Sequence, residues 1–311
     1  MFRRSLKTSR ALKRKHDSLK DLQTEVDQLK VLAAQPLIQK FKTGEKLTHL
    51  RDAEFKAFSQ FGDDGIIQYL IHRLAPVPDS FVEFGVGNYR ESNTRFLLLN
   101  NNWRGLIMDT SEDCIRQIRK DELYWRHTLT ANRAFINRDN INDLLREAGF
   151  TGEIGLLSID IDGNDYWVWE KIDIVDPVIV IMEYNSIFGP DLAVTVPYDP
   201  QFVRHQAHFS GQFWGASLPA LTLLAERKNY SLLGCNSGGN NAYFVRKNKV
   251  DALPVFSARE AFVDARFRDS RSLSGELTYL SGDERFDQIA TLEVYDVERG
   301  IQAPLNSLKK K

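Results

Sequence analysis

The stretch Ser80–Thr94, "SFVEFGVGNYRESNT", carries the reading of the fold. "SFVEFGV" has the aromatic and β-branched content of a strand, and "ESNTRFLLLNN", from Glu91, reads as a helix. Gly85 and Gly87 stand between them, where tight turning and close approach to a ligand favour residues without a side chain. The third glycine of a dinucleotide fingerprint would fall at Arg90, whose bulk obstructs helix–strand packing, so an NAD or FAD site is disfavoured. No Gly-x-x-x-x-Gly-Lys-Ser/Thr phosphate loop occurs in the chain. Glu83 sits at the tip of the strand, where a carboxylate repels a pyrophosphate. It suits a cationic ligand group instead, such as the ammonium and sulfonium end of S-adenosylmethionine (SAM).

Outward from this stretch the same alternation repeats. "RGLIMDT", "TLTANRAFI", "IGLLSIDID" and "PVIVIMEY" read as strands, with "SEDCIRQIRKDELYW", "NRDNINDLLREAG" and "DYWVWEKI" as helical segments between them. Buried aliphatic strands joined by helices predict an α/β, doubly wound, mostly parallel sheet covered on both faces. "YSLLGCNSGGNNAYFVRKN" reads as a hairpin at the sheet edge, turning at Gly238 and Gly239. The second strand ends in Asp109, about twenty-five residues after the first, where an acid can accept both ribose hydroxyls. Helix capping is its alternative role. Asn137 falls where an adenine would be met, and is equally suited to a cap.

The motifs "SQFGDDGI", "FVEFGVGNYRESNT", "LLSIDIDGNDYWVW" and "GGNNAYFV", in this order over about residues 55–250, resemble the FkbM-type methyltransferases, a branch of the class I SAM-dependent family. The resemblance implies a seven-stranded, Rossmann-like sheet and methyl transfer to oxygen, often a sugar hydroxyl. It also implies that Glu83, Gly85 and Gly87 form the SAM loop and that Asp109 is the ribose partner.

Strand-end carboxylates form the second constellation. Ser158, Asp160 and Asp162 share one face of their strand, which directs both acids toward the crevice of Glu83 and Asp109. Asp165 or Asn164 suits a cap of the helix that follows. Glu183 and Asn185 end the next strand. Asp162, Glu183 and Asn185 together are similar to the magnesium site of catechol-type O-methyltransferases, which makes Mg²⁺ a candidate second cofactor. The metal-free alternative gives proton abstraction to a carboxylate or to His208, or to its neighbour His205. Trp214 can stack on a sugar face, and Arg204, Arg266, Arg268 and Arg271 suit an anionic acceptor such as a nucleotide-sugar or acidic glycan. Gln60 and Asp64 belong either to a lid over the cofactor or to helix caps.

The bulk numbers fit this reading. The chain has 311 residues, 42% hydrophobic and 27% charged, enough for a sizeable core. A formal charge of -1 argues against nucleic-acid binding, although an RNA methyltransferase remains an alternative reading. Cys114 and Cys235 are too far apart for a metal-ligand pair, which suits a reducing cytoplasm. No apolar run is long enough to span a bilayer, and a secretory signal is not expected. Basic residues Arg3, Arg4, Lys7, Arg10, Lys13, Arg14 and Lys15, with Lys309–Lys311, suit peripheral contact with an anionic surface. Leu12, Leu19, Leu22, Val26, Leu29 and Ala33 follow near-heptad steps and predict a helix over about 5–34, stopped at Pro36. Such a helix either packs on its own domain or joins a second copy, the expectation being a homo-oligomer. A non-catalytic oligomeric scaffold is the alternative to an enzyme. The expected divisions are a basic helix (1–35), a connector (36–58), the methyltransferase domain (59–250) and a C-terminal extension (251–311).

Overall fold

The computed structural model describes residues 2–44, 46–251 and 253–309. The side chains of residues 2–14, 16 and 17, and so of Leu12 and the basic cluster Arg3–Arg14, lie outside the description, as do Lys310 and Lys311.

A long helix α1 (Phe2–Thr43) precedes α2 (Asp63–Arg73), and the sheet then begins. Its elements follow in the order β1 (Ser80–Phe84), α3 (Arg95–Asn101), β2 (Arg104–Asp109), α4 (Glu112–Arg119), α5 (Glu122–Arg126), β3 (Leu129–Arg133), α6 (Ile141–Glu147), β4 (Gly152–Ile159), α7 (Asp165–Lys171) and β5 (Val175–Glu183). After β6 (Val194–Thr195), α8 (Arg204–Ala207) and α9 (Leu218–Arg227), the hairpin β7 (Tyr230–Cys235) and β8 (Asn241–Arg246) completes it. The order across the seven strands is β3-β2-β1-β4-β5-β8-β7. β1 to β5 pair in parallel, and β8 runs antiparallel to both neighbours. This is the seven-stranded, mostly parallel, Rossmann-like sheet expected of a class I methyltransferase fold. The chain proceeds outward from β1 to β3 and then returns to place β4 on the other side of β1. The switch point therefore lies between the carboxyl ends of β1 and β4, where open α/β sheets bind ligands.

Alternation along the strands builds the two faces. Val82, Phe84, Leu106, Met108, Leu157 and Ile159 pack with α6, α7 and α9, while Phe81, Ile107, Leu156, Ile179 and Ile181 pack with α2 and α4. The remaining chain, α10 (Ala258–Ala261), α11 (Asp283–Ile289), β9 (Glu293–Asp296), β10 (Ile301–Pro304) and α12 (Leu305–Leu308), adds a three-stranded sheet in the order β10-β9-β6. Its apolar cluster joins Phe286, Ile289, Val294 and Leu305 to Phe188, Val194 and Phe213 of the segment after β5. The C-terminal segment thereby braces the loops that follow β5.

Pro36 does not stop α1, which runs through it to Thr43. The proline removes one backbone donor. Packing offsets that loss: Ala34 and Ile38 bury against Ala57, Phe58 and Phe96, and Phe41 meets Tyr69 edge-on at 5.7 Å.

Candidate functional site

Gly85 (φ +76°) follows β1 directly, and a Cβ there would overlap the carbonyl oxygen of Asp160. The first glycine therefore lets the turns after β1 and β4 touch. Gly87 (φ +51°) has open space where its side chain would be. Its N–H donates to Asp109 Oδ2 at 2.7 Å, and Ser111 N donates to Oδ1 at 2.7 Å. Asp109 is thus fixed from both sides, and each oxygen keeps a lone pair for another donor.

Glu83 lies elsewhere than expected. It is 5% exposed, and it accepts from Asn93 N (2.9 Å), Ser92 Oγ (2.6 Å), Thr94 N (3.1 Å) and Thr94 Oγ1. It stands beneath the glycine turn, holding the start of α3, and does not line the crevice. Asn137 is also committed locally: its Oδ1 accepts from Asp139 N and Asn140 N. The wall at the place expected for adenine is instead Ala134, Phe135 and Ile136.

Three carboxyl groups, Asp160, Asp162 and Glu183, bring oxygen atoms within 4.8 Å of one another at the ends of β4 and β5. Burial and the charges of Asp162 and Asp165 push Asp160 up to about 8. Glu183 is raised well above the usual carboxylate range by burial and by Asp160. Buried carboxylates this close cannot both ionise cheaply, so the pair favours one proton between them. Glu183 Oε2 has no hydrogen-bond partner among the described residues. Asp165 accepts from Ile161 N and Gly163 N, each at 2.8 Å, and so ties down the turn before α7; neither it nor Asn164 caps the helix with its side chain.

Asp162 is exposed and adopts a left-handed backbone (φ +57°). It pairs at 2.7 Å with Arg204, which also binds Asp269 at 2.9 Å and donates from Nε to Gly211 O. The Arg204 guanidinium lies 4.7 Å from the Trp214 ring centroid. A cavity of about 380 Å³ is lined by Gly85, Asp109, Ile136, Asp160, Asp162 and Phe202, among others. A second, of about 250 Å³, adjoins it and is lined by residues including Gln212, Trp214, Asn240, Phe267, Asp269 and Arg285. Gln60, Glu183 and Arg204 border both.

The expected magnesium set does not hold together. Asn185 is 1% exposed; its amide nitrogen donates to Gln212 O and Trp214 O, and its oxygen accepts from Ile187 N. Asp162 already carries Arg204. His208 lines neither cavity; Ser210 Oγ is 2.7 Å from its Nδ1, and burial lowers its pKa. Of the expected lid pair, Gln60 borders both cavities. Asp64 instead accepts from the backbone of Ala57, Phe58 and Ser59. Phe202, Gln212, Asn240, Phe267 and Arg285 were not singled out by sequence. Phe202, Gln212 and Phe267 come from loops without periodicity or motif, Asn240 lies within the "GGNNAYFV" motif, and Arg285 lies in α11.

No family model matches the chain, and no curated protein does. Among solved structures it is similar to an O-methyltransferase from Bacillus cereus in complex with SAH, at 15% identity and TM-score 0.38, over 58% of this chain and 78% of that one. It is also similar to M. capricolum TrmK in complex with S-adenosyl-homocysteine (SAH), at 13% identity and TM-score 0.33, over 58% and 68% of the two chains. A third is the N-terminal domain of EvdMO1 with SAH bound, at 9% identity and TM-score 0.39, over 60% and 80%.

Proposed function

We propose that the chain is a SAM-dependent methyltransferase acting on a hydroxyl oxygen of a carbohydrate. The observation that carries the reading is the pair of joined cavities at the switch point, with Glu183 on their shared border. The first cavity is of small-molecule size. Its residues fit the cofactor: there is open space at Gly87, Asp109 retains acceptor capacity, and an apolar wall stands at Ala134–Ile136. When bound, SAM supplies a methyl group on a positively charged sulfur that departs as a neutral thioether.

The chain's own residues would then divide the work. Asp109 accepts the ribose hydroxyls. The Asp160–Glu183 pair, with one negative charge and a raised pKa, takes the acceptor's hydroxyl proton at Glu183 Oε2. Arg204, pinned by Asp162 and Asp269, fixes the passage between the cavities. The second cavity offers the amides of Gln212 and Asn240, the carboxylate of Asp269 and the Phe267 ring, a polar and aromatic lining suited to a polyhydroxylated ligand. Because Asn185 and Asp162 are already committed, no step is assigned to magnesium.

Titration calorimetry with SAH, followed by transfer of tritiated methyl from SAM to a panel of glycans, phenols and peptides, tests this reading. Expected are SAH binding and glycan labelling that survives mild base, as an ether does, with a rate unchanged by EDTA. Absence of SAH binding removes the cofactor assignment; labelling confined to peptides removes the carbohydrate.

A further inference from the structure

α1 carries two apolar stripes. One, formed by Val31, Ala34, Ile38 and Phe41, packs on the domain, with Ala34 and Ile38 only 4% and 2% exposed. The other, Leu19, Leu22, Val26, Leu29 and Ala33, faces away; Leu19 and Leu29 are each 63% exposed and Leu22 is 55% exposed. At 3.6 residues per turn the two stripes lie roughly 120° apart around the helix. Residues 18–26 are exposed throughout, and Asp27 is the first buried residue of the described part of the helix. Ahead of Asp27 the helix projects from the domain with a continuous apolar seam.

We infer that this seam is the interface of a parallel, in-register coiled coil between two copies of the chain. The steps 19, 22, 26, 29, 33 are a/d steps, with Leu19, Val26 and Ala33 at a and Leu22 and Leu29 at d. Leucine at both d positions, with the β-branched Val26 at the central a, favours two parallel strands. The flanking charges select the orientation. Glu25 falls at g and Lys30 at the following e, so a parallel pair sets each Glu25 against the partner's Lys30. An antiparallel pair brings g beside g and sets Glu25 against Glu25. Both residues are exposed, and the Lys30 ammonium, 5.0 Å from the Phe58 ring centroid, flanks the seam on its domain side. The domain occupies the other stripe, so each copy keeps its own packing when the seams meet.

Light scattering of the full chain should give twice the 35.7 kDa mass, and the double variant Leu22→Asp/Leu29→Asp should give a monomer. That variant should keep the parent circular dichroism and SAH affinity, since neither leucine touches the domain. Val26→Cys, oxidised in the full chain, should yield a covalent dimer that the parent, with its own Cys114 and Cys235, does not. A parent monomer at tens of micromolar overturns the proposal, as does a dimer that the Val26→Cys substitution fails to cross-link. So does a monomer that sediments with phosphatidylserine vesicles through Leu22 and Leu29, which would make the seam a membrane face. None of these outcomes bears on methyl transfer.

Discussion

Asp109 accepts two backbone donors and still has capacity for two more. Hydrogen bonds to a charged acceptor contribute about 1.5–3 kcal/mol each, so Asp109→Ala should weaken SAH binding by roughly two orders of magnitude in calorimetry. The Asp160–Glu183 pair sets the pH response. The base must be ionised, and burial raises both members of the pair. The methyl-transfer kcat/KM should therefore rise with pH as the pair takes up its single negative charge, at pH above the ordinary carboxylate range, and Glu183→Gln should lower it by roughly 10²–10⁴ and flatten the rise. The same scale shows why Glu83 misleads. Its partners Ser92, Asn93 and Thr94 stand in the very stretch that suggests a ligand role for it. Hydroxyls and free N–H groups at a helix start seek an acceptor, and the nearest is a carboxylate at the end of the preceding strand.

At the scale of elements, the two glycines have separable duties. Gly85 must accommodate the Asp160 carbonyl, so Gly85→Ala forces the turns after β1 and β4 apart and should cost several kcal/mol in denaturant unfolding. Gly87→Ala meets no atom and should cost only the left-handed backbone penalty, about 1–2 kcal/mol, while weakening SAH binding. The strands, their parallel order and the edge hairpin were legible because periods of two and 3.6 are local signals. Asp109, Asp160 and Glu183 were legible for the same reason, as acids at strand ends. Gln212, Phe267 and Arg285 were not, because their meeting depends on segments braced by the C-terminal sheet, and such contacts leave no periodic trace; Arg204 was legible as a cation for an acceptor, but not its pairing with Asp162 and Asp269. Asn137 shows a milder failure: the "NRDN" segment closes on itself through Asn137 and Asn140, a turn pattern that outweighs a place in the strand order.

For the whole molecule, α1 does more than project. Asp27 pairs with Arg95 at 2.9 Å, both side chains being 12% exposed, and Ala34 covers Phe58 and Phe96. Deleting residues 1–35 leaves Arg95 without its carboxylate and uncovers the aromatic pair. The domain should lose about 3–5 kcal/mol, read as a drop in Tm of several degrees, with SAH affinity intact because no described residue of α1 borders either cavity.

The sheet is closed by a knot of polar groups whose members are far apart along the chain. Asp63 at the start of α2 accepts from Asn236, Asn241 and Tyr243 of the β7–β8 hairpin, a loop closure of about 180 residues, and Asn240 donates to Gln60. During synthesis, Asp63 and Gln60, the latter bordering both cavities, lack these partners until the ribosome has released the hairpin. Nascent chains shorter than that should expose the β5 edge and be substrates for chaperones, and acquisition of native structure should be a late, slow event.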